Sequence, residues 1–261
     1  ETDTALEQLE RSLRIAEAHH GPEHRETASV LNNLAVAAYQ AGDLQRARGA
    51  LERSLAVLEG DLGPDHPDVG TLVNNLGMIA RRQGDNRAAI AYFERDIELS
   101  RRVLGSDHPD VASVLRNLGF AHMALGEYEP ARAAFEESLA IIESALGTDS
   151  LQAGNAHGVL ADLAVREGRW DAAAASAERA LGAYRNPENP QQRRKRLRLL
   201  EGSARIARLR GENGIARRRC QTAVQEAEAL PDPTTEAARC RIQLSLIDLM
   251  EGRSAEAAAR Y

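Results

Sequence analysis

Asp65-His66-Pro67-Asp68-Val69 returns as Asp107-His108-Pro109-Asp110-Val111, an offset of 42 residues. The same offset aligns Asn33, Asn75 and Asn117, each followed by a leucine (Leu34, Leu76, Leu118) and then by a small residue (Ala35, Gly77, Gly119). Leu160 and Ala161 continue the series. A chain that repeats itself at a fixed interval grows by stacking like units, so its length sets the number of units and not the size of one closed core.

Within each unit the punctuation is helical. Gly42, Gly84, Gly126 and Gly168 stand where one helix must stop, because glycine takes the left-handed C-cap conformation at little cost. Five residues beyond each lies an alanine (Ala47, Ala89, Ala131, Ala173), which lets two helix backbones approach closely, and four beyond that stand Leu51, Phe93 and Phe135. Those large side chains are expected to fill the space between neighbouring units. Leu62-Gly63-Pro64-Asp65-His66-Pro67 and Leu104-Gly105-Ser106-Asp107-His108-Pro109 then read as a glycine stop, a polar cap and a proline in the next first turn.

The spacing predicts helix pairs from Arg25 to Ala41 with Asp43 to Glu59, Pro67 to Gln83 with Asp85 to Leu104, and Pro109 to Leu125 with Glu127 to Leu146. A fourth pair spans Ser150 to Tyr184 and ends at the loop Asn186-Pro187-Glu188-Asn189-Pro190. A fifth is placed around Gly211 with Ala204 and Ala216 in the small positions, and a sixth around Gly252 with Ser245 and Ala257. Ala5, Leu9 and Leu13 match Ala47, Leu51 and Leu55, so the chain is expected to open on the second helix of a repeat, and Tyr261 to fall inside a last helix. The expected organisation is one all-α domain over 1–261: a half repeat at 1–21, repeats at about 22–63, 64–105, 106–147, 148–190 and 191–232, and a partial repeat at 233–261. With Glu1 as its first residue, no basic and apolar leader and a truncated first repeat, the chain is expected to be a fragment of a longer protein.

The small residue, the turn glycine, the alanine and the aromatic, in that spacing, resemble the tetratricopeptide repeat signature. The unit of 42 residues with its Leu-Gly-x-Asp-His-Pro junction is similar to the kinesin light chain type. The likeness runs from Glu1 to Tyr184; beyond it only glycine and alanine spacing remains, which HEAT repeats of similar length also satisfy. The resemblance implies a right-handed superhelical solenoid of antiparallel helix pairs. It also implies a concave groove, lined by the first helix of each pair, in which asparagines hydrogen-bond a partner peptide or helix. Residue by residue, those asparagines are Asn32 and Asn33, Asn74 and Asn75, and Asn117, with Arg116 in the place of the third pair's other amide; the fourth unit departs, with Gly158 and Val159. Asparagine suits the task because one amide offers both donors and an acceptor to a peptide backbone. Neighbouring groove positions are Val36, Tyr39, Met78, Arg81, Arg82, Phe120 and Met123, a mixture of adaptable apolar surface and positive charge. The basic set of members that clamp a carboxyl terminus is incomplete here, and no chaperone-tail clamp is expected.

Charge adds a second candidate. Arg193, Arg194, Lys195, Arg196 and Arg198 open a stretch to Arg219 that holds eleven basic residues against Glu201 and Glu212, in a chain of net charge −6. Such asymmetry attracts an acidic partner, a membrane surface without insertion, or nucleic acid, and the alternative is a solvated helix pair with no partner; an acidic protein partner is expected. Nucleic acid is disfavoured, because no aromatic side chain for base stacking lies between Tyr184 and Tyr261. Lys195 is the sole lysine, which points to a GC-rich, bacterial coding sequence.

Other chemistries find no foothold. His-Pro-Asp at 66–68 and 108–110 also marks the loop of J-domain co-chaperones, but there it occurs once, whereas here it recurs as a junction. His24, His66 and His108 belong to successive units about 8 to 10 Å apart, too far for one metal. No serine or cysteine stands in a nucleophile elbow, and no glycine cluster precedes a helix as a phosphate loop. Cys220 and Cys240 are too few for a disulfide framework and read as buried free thiols. The expectation is a non-enzymatic scaffold without cofactor or metal, soluble and cytoplasmic, binding a protein or peptide. The alternative is the sensory or regulatory region of a larger bacterial signalling enzyme, a kinase or ATPase, and self-association through exposed end helices is expected in either case.

Overall fold

The computed structural model describes residues 2–228, 230 and 235–258. Among these the chain is helical throughout: α1 (Thr2–His20), α2 (Arg25–Ala41), α3 (Leu44–Leu62), α4 (Pro67–Arg82), α5 (Asn86–Leu104), α6 (Pro109–Ala124), α7 (Tyr128–Leu146), α8 (Leu151–Arg166), α9 (Trp170–Ala183), α10 (Pro190–Leu209), α11 (Asn213–Glu228), α12 (Thr235–Met250) and α13 (Ser254–Ala258). The chain divides into two compact units, Glu1–Ile141 and Ile142–Tyr261. In each, consecutive helices pack as pairs.

The junction motif acts as anticipated. Gly63 and Gly105 take φ of 85° and 90° and end α3 and α5, and Pro67 and Pro109 sit in the first turns of α4 and α6. The junction histidines are N-caps. His24, His66 and His108 hold extended backbone, and the Nδ1 of each accepts the N–H two residues on, from Glu26, Asp68 and Asp110, at 3.2 Å. Such a bond satisfies one of the donors that every helix start leaves unpaired. Asp43 and Asp85 cap α3 and α5 in the same way, through the N–H groups of Arg46 and Ala88.

Packing inside a pair follows a volume rule. Ala47, Ala89, Ala131 and Ala173 are wholly buried. The Phe93 ring lies against Gly77, where an added Cβ would stand 2.6 Å from it, and Phe135 lies against Gly119, where the gap would be 2.5 Å. The glycine thus opens room for the aromatic ring inside the pair, and both rings are buried. In the first repeat Ala35 replaces the glycine and Leu51 the phenylalanine, so small and large change together. Leu51 also shares a core with Leu72, Leu76 and Ile79 of the following helix.

Ala5 is exposed on α1, while Leu6 and Ala16 are buried. In the 142–261 unit, Gly211 and Gly252 have φ of 77° and 79° and follow α10 and α12; Ala204, Ala216, Ser245 and Ala257 are buried in the small positions. Tyr261 lies outside the described residues. Cys220 and Cys240 are free, fully buried and share a core with Leu197, Leu200 and Leu244. Their mutual hydrogen bond and their burial push the Cys240 thiol well above its ordinary value, which keeps it protonated and unreactive.

Candidate protein-interaction surface

The first helices of the 1–141 unit, α2, α4 and α6, carry the groove candidates, and the structure divides the asparagines into two columns. Asn33 is exposed, and Asn75 and Asn117 are partly so. Asn75 joins Val36, Tyr39 and Met78 around a pocket of about 250 Å³, closed below by Ala35, Leu51 and Ile79.

The other column is turned toward the second helices. The Asn74 amide donates to the Asp96 carboxylate of α5 at 2.7 Å, and the Ser100 hydroxyl donates to the same carboxylate at 3.1 Å. Asp96 is 4% exposed, and burial lifts its carboxyl above the ordinary range while the two hydrogen bonds pull the other way. Its column holds Ser54 and Ser138 in the adjacent repeats, whose hydroxyls donate to the carbonyls of Ala28 and Ala112. Gly70, where those repeats have alanine, makes room for the larger carboxylate: an added Cβ would sit 3.1 Å from Asp96 Oδ1. Asn32 has no Asp96 to hold. It lines a cleft of about 290 Å³ with Arg25, Ser29, Asp68 and Thr71, and among the described residues its buried side-chain oxygen has no hydrogen-bond partner.

The groove arginines are held by rings. The Arg82 guanidinium lies 4.6 Å from the centre of the Tyr39 ring and donates to the Tyr39 carbonyl at 3.1 Å. Arg81 lies 5.9 Å from the centre of Phe120, which in turn meets Phe135 edge-on at 5.2 Å. These contacts tie α2 to α4 and α4 to α6 across the face. Arg116 is exposed and Met123 partly buried. Asp96 was not anticipated; the signal available was a charged residue in a column otherwise occupied by serine.

The basic stretch is not one patch. Arg196 donates through Nε to both carboxylate oxygens of Glu226 at 3.0 Å and through Nη1 to the Tyr184 carbonyl. Arg217 pairs with Asp248 at 2.7 Å and Glu251 at 2.8 Å, Arg219 with Glu178 and Ser203, and Arg210 with Asp171 at 3.0 Å. Carboxylates distant in sequence thus neutralise much of the run. Arg193, Arg194 and Arg198 remain exposed, and Lys195 is half-buried beside Asp162 and Arg198, its ammonium lowered chiefly by desolvation. Among the described residues no cluster of His, Cys, Asp or Glu is arranged to hold a metal, and no helix is long and apolar enough to cross a membrane.

Solved structures share the fold. The fold matches BtubC (BKLC) from P. vanneervenii at 19% identity with a TM-score of 0.75, covering 89% of this chain and 95% of that one. A putative kinesin light chain of nearly identical TPR-like repeats from Podosopora anserina matches at 21% identity and a TM-score of 0.69, covering 80% and 99%. A STAND (signal transduction ATPase with numerous domains) protein with a tetratricopeptide repeat sensor from Pyrococcus horikoshii matches at 15% identity and a TM-score of 0.79, with 98% of this chain aligned to 38% of that one. No curated protein matches. The tetratricopeptide repeat model matches residues 1–60, 50–95, 68–144 and 110–186, well over half of the sequence, and the chain belongs to the tetratricopeptide repeat family.

Proposed function

We propose that this chain is a protein-interaction scaffold whose first-helix face in the 1–141 unit captures a partner peptide or helix. Tetratricopeptide repeats serve in general as such scaffolds. The observation that carries the reading is the pocket of about 250 Å³ bounded by Val36, Tyr39, Asn75 and Met78, which joins an apolar floor to an amide able to donate and accept. Asn33 and Asn117 extend the amide column to either side for an extended backbone, and Phe120 and Met123 offer further apolar contact. Arg82 and Arg81, stacked on Tyr39 and Phe120, present positive charge at the rim and favour a partner with acidic residues. Asn74 supports this face from beneath by holding Asp96. No catalytic role is assigned to any residue. Cytoplasmic placement and self-association through the end helices belong to the same reading, and light scattering measures the second.

The test is a peptide-library pull-down comparing wild type with the triple variant Asn33→Ala, Asn75→Ala, Asn117→Ala, its fold checked by circular dichroism. Loss of captured peptides is expected; undiminished capture by the folded variant overturns the groove assignment.

A second reading takes the chain as the sensory region of a larger signalling ATPase or kinase. It is favoured by the likeness of 98% of this chain to a minor part of the STAND protein described above. The sequence of the full gene decides it: a flanking nucleotide-binding domain supports it, and its lack removes it.

A further inference from the structure

Tyr92 of α5 and Ala134 of α7 stand 42 residues apart and so hold one position in successive repeats. Tyr92 is partly buried and packs, with Leu55 of α3, against cores that include Val73 and Leu76 of α4. Moved on by one repeat, Leu55, Val73 and Leu76 become Ile97, Leu115 and Leu118. These three line a cleft of about 590 Å³ between the second helices α5 and α7, with Ala134 on the α7 wall. The chain therefore keeps the apolar residues that receive a tyrosine ring in one repeat and, in the next, omits the ring. Where the first repeat also has alanine, at Ala50, Leu6 and Leu13 of α1 lie in the same core.

The two walls are held as in the preceding repeat. Arg101 of α5 pairs with Glu137 of α7, just as Glu59 of α3 pairs with Arg95 of α5: the same two positions with the charges exchanged. α5 and α7 are thus tied at the level where α3 and α5 are tied, and the missing ring leaves space in place of a closer helix packing.

Charge at the rim shows the same omission. Arg48 pairs with Glu52 on α3 at 2.8 Å. One repeat on, Glu94 keeps the carboxylate but Ile90 replaces the arginine. Glu94 is exposed, lines the cleft and, among the described residues, has no ion-pair partner. Its neighbour Arg102 is engaged by Asp65 at 3.2 Å and by Glu98 at 3.3 Å.

We infer that the cleft between α5 and α7 is a docking site for a partner segment that inserts an aromatic side chain beside a basic one. The ring takes the place over Ala134 that Tyr92 fills in the preceding repeat, and the cation gives Glu94 the partner that Arg48 gives Glu52. Burial of the ring drives the contact, and the ion pair orients it. A chain of net charge −6 also draws a basic segment toward it. None of the cleft residues belongs to the amide column on α2, α4 and α6, and the site does not rest on that column.

The experiment uses the full chain, isotopically labelled on its methyl groups, and an unlabelled Gly-Arg-Tyr-Arg-Gly peptide titrated by NMR. Shifts are expected at the Ile97, Leu115, Leu118 and Ala134 methyls and not at those of Val36 and Met78. Ala134→Tyr, which supplies the ring from within as Tyr92 does, is expected to weaken binding at least about tenfold. Glu94→Gln is expected to weaken it about threefold, as suits an exposed ion pair. Circular dichroism verifies both folds. Serine in place of the peptide's tyrosine is expected to remove the shifts with the protein left unchanged. The proposal is overturned by a lack of shifts in the cleft, by equal binding of a peptide with leucine in place of tyrosine, or by wild-type affinity in either folded variant. Shifts centred on Val36 and Met78 overturn it too and return the peptide to the first-helix face. Tighter binding of tyramine, the same ring with a single ammonium, overturns it in favour of a small-molecule site.

Discussion

The amide of Asn74 on α4 donates to the buried carboxylate of Asp96 on α5 at 2.7 Å, which sets it apart from the more exposed column of asparagines one residue over. Adjacent, chemically identical side chains thus have different occupations: Asn74 braces a helix pair while Asn75 lines a pocket.

Asn74→Ala strips Asp96 of its closest donor in a buried place. The expected cost is about 2 kcal/mol, since an unsatisfied buried charged group loses more than the bond's net worth. Asn33→Ala, on an exposed side chain, is expected to fall within about 0.5 kcal/mol of wild type. Urea denaturation of the two variants measures the contrast, and equal midpoints would falsify the division into columns.

The same carboxylate makes stability depend on pH with a sign opposite to that of an ion-paired aspartate. Burial raises the folded-state pKa of Asp96 above its unfolded value, so the folded chain keeps the proton longer. Its contribution is fully present at pH below the ordinary carboxylate range and is lost as pH rises through the raised value. In Asp96→Asn that loss disappears. The melting temperature of the variant relative to wild type is therefore expected to climb as pH increases from the acid range to neutrality, and a difference independent of pH excludes the assignment.

Gly77→Ala gains about 1 kcal/mol of helix propensity and drives a methyl group into the Phe93 ring. Overpacking of this kind costs about 1–3 kcal/mol, so net destabilisation is expected. Adding Phe93→Leu rebuilds the Ala35 and Leu51 pairing of the first repeat and should recover most of the loss. A double-mutant cycle by thermal denaturation reads the coupling, and strictly additive effects would show that the two positions do not share a volume.

His66→Ala removes the acceptor that caps α4, with an expected loss of about 1 kcal/mol, and His66→Asn restores most of it because an amide oxygen can take the same N–H. If alanine and asparagine behave alike, the junction histidine has some other role.

The periodicity made the helices, their glycine stops and their buried alanines readable, because each of those follows from backbone geometry at one position. In the last two pairs Gly211 and Gly252 have positive φ, and Ala204, Ala216, Ser245 and Ala257 are buried. Less was readable where two distant side chains must meet. Asn74 and Asp96 lie on opposite helices of a pair, and only the fold brings them into contact. Likewise Arg196 and Glu226, or Arg82 and Tyr39, are joined by rotamers chosen after the helices have packed. Runs of like charge in a sequence therefore overstate the charge that reaches solvent.

The junction chemistry has a consequence for how such a chain changes length. Gly63 is followed by Pro64-Asp65-His66-Pro67, and Gly105 by Ser106-Asp107-His108-Pro109. A gene that lost residues 64–105 would join Gly63 to Ser106 and write the same stop, cap and start again. α3 would then meet α6, offering Val114 and Leu118 where Leu72 and Leu76 had been. Duplication or loss of one whole helix pair accordingly rewrites neither stop nor cap, and asks only that like side chains meet across the new junction.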